Sequence, residues 1–383
     1  ANGASVALYD MERVEVLRGP QNALFGRSAQ IGAIHFISKR PGNTTDGFAS
    51  VAFGNYNQRE FRGAINVPIV KDKLFARAAG FYDFRDGFVE NTFGGTLNGK
   101  NTLAGRLSVR YVPAKNHQLD LILSYQNDDT PGIAFMSKQY PNTEGDTDIF
   151  NYRASLEQGD NLYTGKELFD AALYYRYIIN EHTYLSTITS FRKTSSGSRW
   201  DGDGTAAPAL DFWDDAGADQ FYQEFRYNFS WRSRLNGSAG ISYWNEKADQ
   251  TYWFSPNEQS TAVLFFQPEL LILPNGQPLL IPALPDNPEL GPLAGMPLPE
   301  YHLENNYSVA NNQALEAFID ATYQITSKLY FTGGIRAAYE NFELSNEAAF
   351  VDGEPSTLGL ITGNHPNMFF KPTSEKSMDD NSM

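Results

Sequence analysis

The sequence has no cysteine, few histidines and no long apolar run, and each shortage excludes something. Without cysteine there is no disulfide, no thiolate chemistry and no cysteine-bound zinc. His35, His117, His182, His302 and His365 stand far apart, and none forms the helix-spaced pair of a metal site. No segment reaches the roughly 18 apolar residues of a membrane-crossing helix. The most apolar stretch, residues 262–284, is interrupted by Pro268, Pro274, Pro278 and Pro282, which break a continuous helix. Basic residues are outnumbered, 30 Lys and Arg against 45 Asp and Glu, giving a net charge of −15. That balance argues against a nucleic-acid partner, which calls for a basic face, and suits the solvated loops of a surface protein. Nucleophile elbows, phosphate loops and dinucleotide fingerprints are missing, and Gly94–Gly99 reads as a turn because Asn101, not Ser or Thr, stands after Lys100 and no helix follows. No residue qualifies as catalytic, so the sequence points away from an enzyme, and it calls for no cofactor or metal.

Aromatic residues are abundant, with 27 Phe, 21 Tyr and 5 Trp beside 32 Gly, a composition that suits strands joined by many turns. From Phe48 onward the chain is a train of two-residue periods. In 221–231, Phe221, Gln223, Phe225, Tyr227, Phe229 and Trp231 share one face, and Tyr222, Glu224, Arg226, Asn228 and Ser230 the other. A strand sorts residues this way; a helix does not. The pattern recurs in 103–111, 119–126, 169–180, 315–325 and 329–340, and more weakly in 48–55, 59–67, 73–85, 182–193 and 235–253. These segments predict about eleven antiparallel strands. Short turns near 112–117, 180–182, 232–235 and 326–329 alternate with long polar loops at 128–165, 194–218 and 255–308, as in a transmembrane β-barrel. Periodicity alone leaves open whether the apolar face meets lipid or the core of a soluble β-protein.

Two features of the loops invite a functional reading. Asp201, Asp203, Asp211, Asp214 and Asp215 cluster, yet the closing Glu of a calcium loop is missing, so a solvated acidic loop is expected. Trp200 and Trp213, placed by this pattern in the 194–218 loop, are candidate ligand contacts through stacking.

The beginning of the chain is the most specific part. Glu12-Arg13-Val14-Glu15-Val16-Leu17-Arg18-Gly19-Pro20, then Phe25-Gly26-Arg27 and Gly32, then Ile37-Ser38-Lys39-Arg40-Pro41, resemble the C-terminal part of the plug domain of TonB-dependent outer-membrane receptors. Asp86-Gly87-Phe88 and Tyr125-Gln126-Asn127-Asp128-Asp129 resemble that family's first barrel hairpins. Ala33 and His35 depart from it, standing where glycine and asparagine are usual.

The resemblance implies an all-β fold, an antiparallel transmembrane β-barrel with a partial N-terminal plug, here an incomplete, open barrel. Residues 1–41 would be the C-terminal part of the plug, 42–47 a linker, 48–345 the N-terminal half of the barrel, and 346–383 a polar tail or loop. Ala1-Asn2-Gly3-Ala4-Ser5 has neither a basic start nor an apolar core segment, and a piece of a larger receptor is expected. The implied function is active transport across the outer membrane of a Gram-negative bacterium. A scarce nutrient, foremost a ferric siderophore, is bound outside and admitted with energy delivered by the TonB complex; cobalamin, haem or a glycan are the alternative ligands. Outer-membrane lipid is the other partner. A passive porin-like channel would lack the plug motif.

A plug must be held yet releasable, so charged contacts between plug and hydrated wall are expected. Arg13, Arg18 and Arg27 are the expected plug groups, and Glu224, Arg226, Glu316, Asp320 and Glu340 the wall groups, with Arg18 expected to pair with a carboxylate such as Glu224.

Overall fold

The computed structural model describes residues 6–19, 31–231 and 234–382, with side chains as far as Thr373. β1 (Met11–Arg18) and β2 (Gly32–Ser38) form an antiparallel N-terminal hairpin. Next come β3 (Asp46–Gly54), β4 (Gln58–Val70), β5 (Leu74–Arg85), the short β6 (Val89–Asn91) and β7 (Thr96–Leu97), β8 (Lys100–Ala114), β9 (His117–Pro131) and the short β10 (Arg153–Ala154). β11 (Tyr163–Asn180), β12 (Thr183–Asp201), β13 (Asp211–Trp231) and β14 (Leu235–Ser255) are followed by helix α1 (Glu258–Phe266), β15 (His302–Gln324), β16 (Tyr330–Gly353), helix α2 (Leu358–Thr362) and β17 (Thr373–Ser382).

Twelve strands make one sheet in the order β3-β4-β5-β8-β9-β11-β12-β13-β14-β15-β16-β17, every neighbour antiparallel. Sequence neighbours pair throughout, so the sheet is an up-and-down meander whose end strands are β3 and β17. β6, β7 and β10 form a separate three-stranded patch within the loops.

The two faces are sorted as the periodicity predicts. Outward lie Leu103, Leu107, Tyr125, Phe225, Ile241, Leu315, Ile319 and Ile335, all exposed on the bare sheet. Buried on the opposite face are Arg77, Asp83, Asp120, Lys166, Glu224, Ser242 and Glu316. A soluble sheet would bury the first set and wet the second; this inversion is the pattern of a barrel with lipid outside and a polar interior.

Several sequence boundaries are corrected. The large sheet has twelve strands, in keeping with the expected count of about eleven, and the twelfth, β17, comes from the segment expected as a polar tail. β16 continues past 345 to Gly353, and β3 begins at Asp46, inside the expected linker. The long loops contract to 132–162, 202–210 and 256–301, because the strands extend into them. β13 and β14 have 21 residues each, β15 has 23 and β16 has 24, well beyond the roughly 9–11 that cross hydrocarbon. The ends stand in water on both faces and so lose the apolar alternation by which strands are recognised.

The apolar clusters among the described residues belong to the loops rather than the sheet. Ala206, Ala207, Ala209, Val263, Leu271 and Ile272 form one; Phe254, Ala262, Leu284, Leu298, Leu358 and Met368 another; Val89, Leu97, Ala154, Leu156 and Leu162 a third. The loops at this end of the sheet are thus packed bodies.

Candidate functional site at the hairpin and sheet wall

The hairpin lies against the polar face of the sheet, and the contacts between them are mostly charged. Arg77 of β5, only 2% exposed, donates to both carboxylate oxygens of Asp10 (Nε–Oδ2 2.7 Å, Nη2–Oδ1 2.5 Å) and to Asp46 Oδ1 at 3.0 Å. Arg40, just after β2, donates to Asp120 Oδ2 of β9 at 3.1 Å, and its guanidinium lies 5.7 Å from the Tyr174 ring centroid. Asp120 also accepts from Arg110 Nε at 2.5 Å. Tyr9 stacks on Phe81, its carbonyl accepts from Arg106 Nη1 at 3.2 Å, and the same guanidinium covers its ring at 4.7 Å. The strap after the hairpin is held by Asn66, whose amide accepts from Gly42 N at 3.0 Å and donates to Gly42 O at 2.9 Å.

The motif residues sort into two roles. Arg13 stays within the hairpin, donating to Glu12 at 2.7 Å and Glu15 at 2.6 Å, and Glu15 faces His35 across the two strands (3.4 Å). Arg18 is exposed at the end of β1, and Gly19 donates to Ile31 O at 3.2 Å. Gly32 has φ +150°, and a Cβ there would lie 2.5 Å from Leu17 O, so the hairpin closes only around glycine. Lys39 reaches Asp46 at 3.3 Å, Pro41 is buried, and Arg40 bridges to the wall. Pro20, Gly26 and Arg27 lie outside the described residues.

Glu224 is held by its own strand rather than by Arg18. It accepts from Tyr222 at 2.8 Å and pairs with Arg226 at 3.0 Å. Asp10, Arg77 and Asp120, which tie hairpin to wall, carry no local sequence signal, since each partner lies far away along the chain.

The other wall candidates form two register rows on the inner face. One row runs Glu224, Ser242, Glu316; the next runs Arg226, Gly240, Phe318, Arg336. Ser242 donates to Glu316 at 2.8 Å, and Arg336 pairs with the same carboxylate. The Phe318 ring has a guanidinium 5.0 Å from its centroid on each side, Arg226 and Arg336. It fits because residue 240 has no side chain: a Cβ there would lie 2.7 Å from Phe318 Cζ and 2.6 Å from Phe225 O. Asp320 and Glu340 are half-buried.

At the long-loop end, Trp200 and Trp213 are strand residues, not loop residues. Trp200 ends β12 and stacks on Phe212 (5.8 Å), while Trp213 stacks on Trp253 (5.9 Å) beneath Arg199. Nor is the acidic segment solvated throughout: Asp201 and Asp211 are buried. Asp201 accepts from Gly204 N at 2.7 Å, Asp203 accepts from Leu210 N at 3.1 Å, and Arg199 holds Asp211 at 2.6 Å. Burial pushes the Asp203 carboxyl up to about 7, with the Glu157 charge adding to the effect, and burial likewise raises Glu157.

Two fully buried carboxylates fasten the neighbouring loops. Glu258 of α1 accepts from Thr357 N and Leu358 N at 3.0 Å and from Ser356 Oγ; burial raises its carboxyl above the usual range. Glu304 accepts from Met368 N at 2.9 Å and Phe369 N at 2.7 Å.

No protein-family model matches the chain. Among curated proteins it is similar to the pesticin receptor of Yersinia enterocolitica, 32% identical over 111 residues, covering 28% of this chain and 16% of that protein. It is similar also to the ferric enterobactin receptor PirA of Pseudomonas aeruginosa, 34% identical over 125 residues, covering 30% and 16%. Among solved structures, the ferric yersiniabactin uptake receptor FyuA from Yersinia pestis has the same fold, with TM-score 0.72 and 16% identity over 98% of this chain and 49% of that one. The chain therefore spans about half the length of that structure and aligns with about one sixth of each curated relative. Fold and faces define the class as an antiparallel transmembrane barrel wall carrying an N-terminal hairpin. That is the barrel fold of the TonB-dependent receptors which the N-terminal motif resembles.

Proposed function

We propose that this chain is part of an outer-membrane receptor of a Gram-negative bacterium that captures a ferric siderophore and imports it with energy delivered by TonB. In this reading the N-terminal hairpin is the C-terminal part of the plug, and the twelve-stranded sheet is the wall around it. The observation that carries the reading is the hairpin–wall interface, built from Asp10–Arg77 and Arg40–Asp120 rather than from an apolar seam. Charged contacts exchange with water and so allow a plug to be held and then shifted; a dry apolar seam would resist both. The choice of iron complex rests on the relatives, two of which are named for ferric enterobactin and ferric yersiniabactin. Chemistry on the ligand is no part of the mechanism: the wall binds, the hairpin blocks, and applied force rearranges ionic contacts.

The test is binding and uptake by the full-length receptor. Iron-loaded catecholate and mixed-chelate siderophores should bind with sub-micromolar affinity and enter cells only while TonB and the proton-motive force are intact. Binding of cobalamin, haem or a glycan with no response to iron complexes would replace the ligand assignment. Uptake that persists without TonB would overturn the transport mechanism.

A further inference from the structure

We infer that the space between hairpin and wall contains an oxyanion-binding site whose donors are Arg40 of the hairpin strap and Arg176 of β11. The two residues line a cavity of ≈ 930 Å³ bounded by the hairpin, β9, β11, β12 and β13. It lies toward the short-connection end of the sheet, since the wall residues lining it sit near where β8 passes to β9, β11 to β12 and β13 to β14.

Three features point to an anion. The first is charge balance. On the side of the cavity formed by the strap, β9 and β11, the lining holds Arg40, Arg176 and one carboxylate, Asp120, which already accepts from Arg40 (3.1 Å) and from Arg110 (2.5 Å). On the far wall Arg226 is matched by Glu224, and Arg13 is matched within the hairpin. The excess positive charge therefore falls at Arg176 and its neighbourhood.

The second is pre-organisation. The Arg176 guanidinium lies over the Tyr184 ring, 4.1 Å from its centroid, and that of Arg40 over Tyr174 at 5.7 Å. A guanidinium stacked on a ring keeps its N–H edge free for a planar oxyanion and loses little freedom when it binds one. The third is proximity. Tyr174 and Arg176 are two residues apart on the same face of β11, so the two guanidiniums reach into one part of the cavity, spaced by about 7 Å of strand.

An occupant would be bonded to hairpin and wall at once. The site suits a compact carboxylate or phosphate group, either a free small oxyanion or a carboxylate borne by a cargo in transit. The inference rests on the cavity and its charges and stands whether or not the receptor's cargo is a ferric siderophore.

The experiment is isothermal titration of the full-length receptor in detergent with citrate and, separately, with ferric citrate. Wild type should bind one or both; citrate alone assigns the site to free oxyanions, and binding of ferric citrate only assigns it to a cargo. Arg176→Gln and Arg40→Gln should each weaken that binding by about tenfold or more, Arg176→Lys should fall between, and Arg59→Gln, outside the cavity, should match wild type. Protection of Arg176 from phenylglyoxal by the bound probe, read by peptide mass on wild type, provides a second measurement that needs no variant to fold. No binding of either probe, unchanged affinity in Arg176→Gln, or no protection would overturn the inference.

Discussion

Arg77 and Asp10 form a two-bonded ion pair, Nε–Oδ2 2.7 Å and Nη2–Oδ1 2.5 Å, with both side chains almost wholly out of water. Sixty-seven positions separate them in sequence, and they fasten the entry to the hairpin onto the third strand of the wall and, through Asp46, onto the first. Removing one partner leaves the other charge buried and alone, which costs about 3–5 kcal/mol. Arg77→Gln in the full-length receptor should therefore loosen the hairpin, seen as faster protease cleavage near residue 10 and faster amide exchange through 11–18. Arg13→Gln, whose pairs are exposed and screened by solvent, should change neither measurably.

Gly240 makes room for the Phe318 ring between two guanidiniums. Gly240→Val should displace that ring and break the Arg226–Phe318–Arg336 stack, at a cost of about 1–3 kcal/mol from overpacking. The measurement is the thermal midpoint of the folded barrel. Gly291→Val, in a loop where a Cβ would meet nothing but φ is +53°, offers a comparison in which strain is confined to the loop and the barrel midpoint should hold.

Glu304 fastens the segment after α2 by accepting from the Met368 and Phe369 amides while fully buried. Glu304→Ala removes both acceptors and leaves those amides unsatisfied. Each hydrogen bond to a charged group contributes about 1.5–3 kcal/mol, so proteolysis within 354–372 should rise sharply while the strands remain protected.

Asp203 introduces a pH dependence at the long-loop end. Its carboxyl is raised from 3.8 to about 7, so between those values the folded loop holds a proton that the unfolded loop has released. Stability from this group is present below pH 3.8 and is lost as pH rises through about 7. The facing groups are Glu157, Asp201 and Asp211, with Arg199 the only cation among the described contacts of the cluster. Protection of the 202–210 amides from exchange, relative to the unstructured chain at the same pH, should be greater at pH 6 than at pH 8, and Asp203→Asn should flatten the difference.

Much of this fold is legible in the sequence, for a physical reason. Where a strand crosses hydrocarbon its two faces meet different solvents, so Phe221–Trp231 and Leu315–Ile325 must alternate, and they do. Where a strand rises beyond the membrane both faces meet water and the constraint disappears. Lys193–Asp201 and the start of β13 therefore resemble loop, and β17, Thr-Ser-Glu-Lys-Ser-Met-Asp-Asp-Asn-Ser, has hardly an apolar residue; its strand character comes from pairing with β16. The site was legible only as residue types. Arg40 was marked by its motif, but Asp10, Arg77, Asp120 and Arg176 become partners only through sheet register, which no local pattern announces. Trp200 and Trp213 read as loop residues in the sequence for the same reason: the strand ends that carry them lack apolar alternation.

The central claim is that the apolar face of the sheet meets lipid and the charged face encloses the hairpin. These 383 residues contain no cysteine, so a cysteine introduced among them is the only one in this stretch and can be scanned position by position. Spin labels at Phe225, Ile241 and Ile319 should be relaxed by oxygen dissolved in the bilayer and shielded from a water-soluble nickel chelate, whereas labels at Asn228, Ser238 and Ser242 should be shielded from oxygen. The reverse pattern, with Phe225 and Ile319 reached by the chelate and Ser242 by oxygen, would contradict the account.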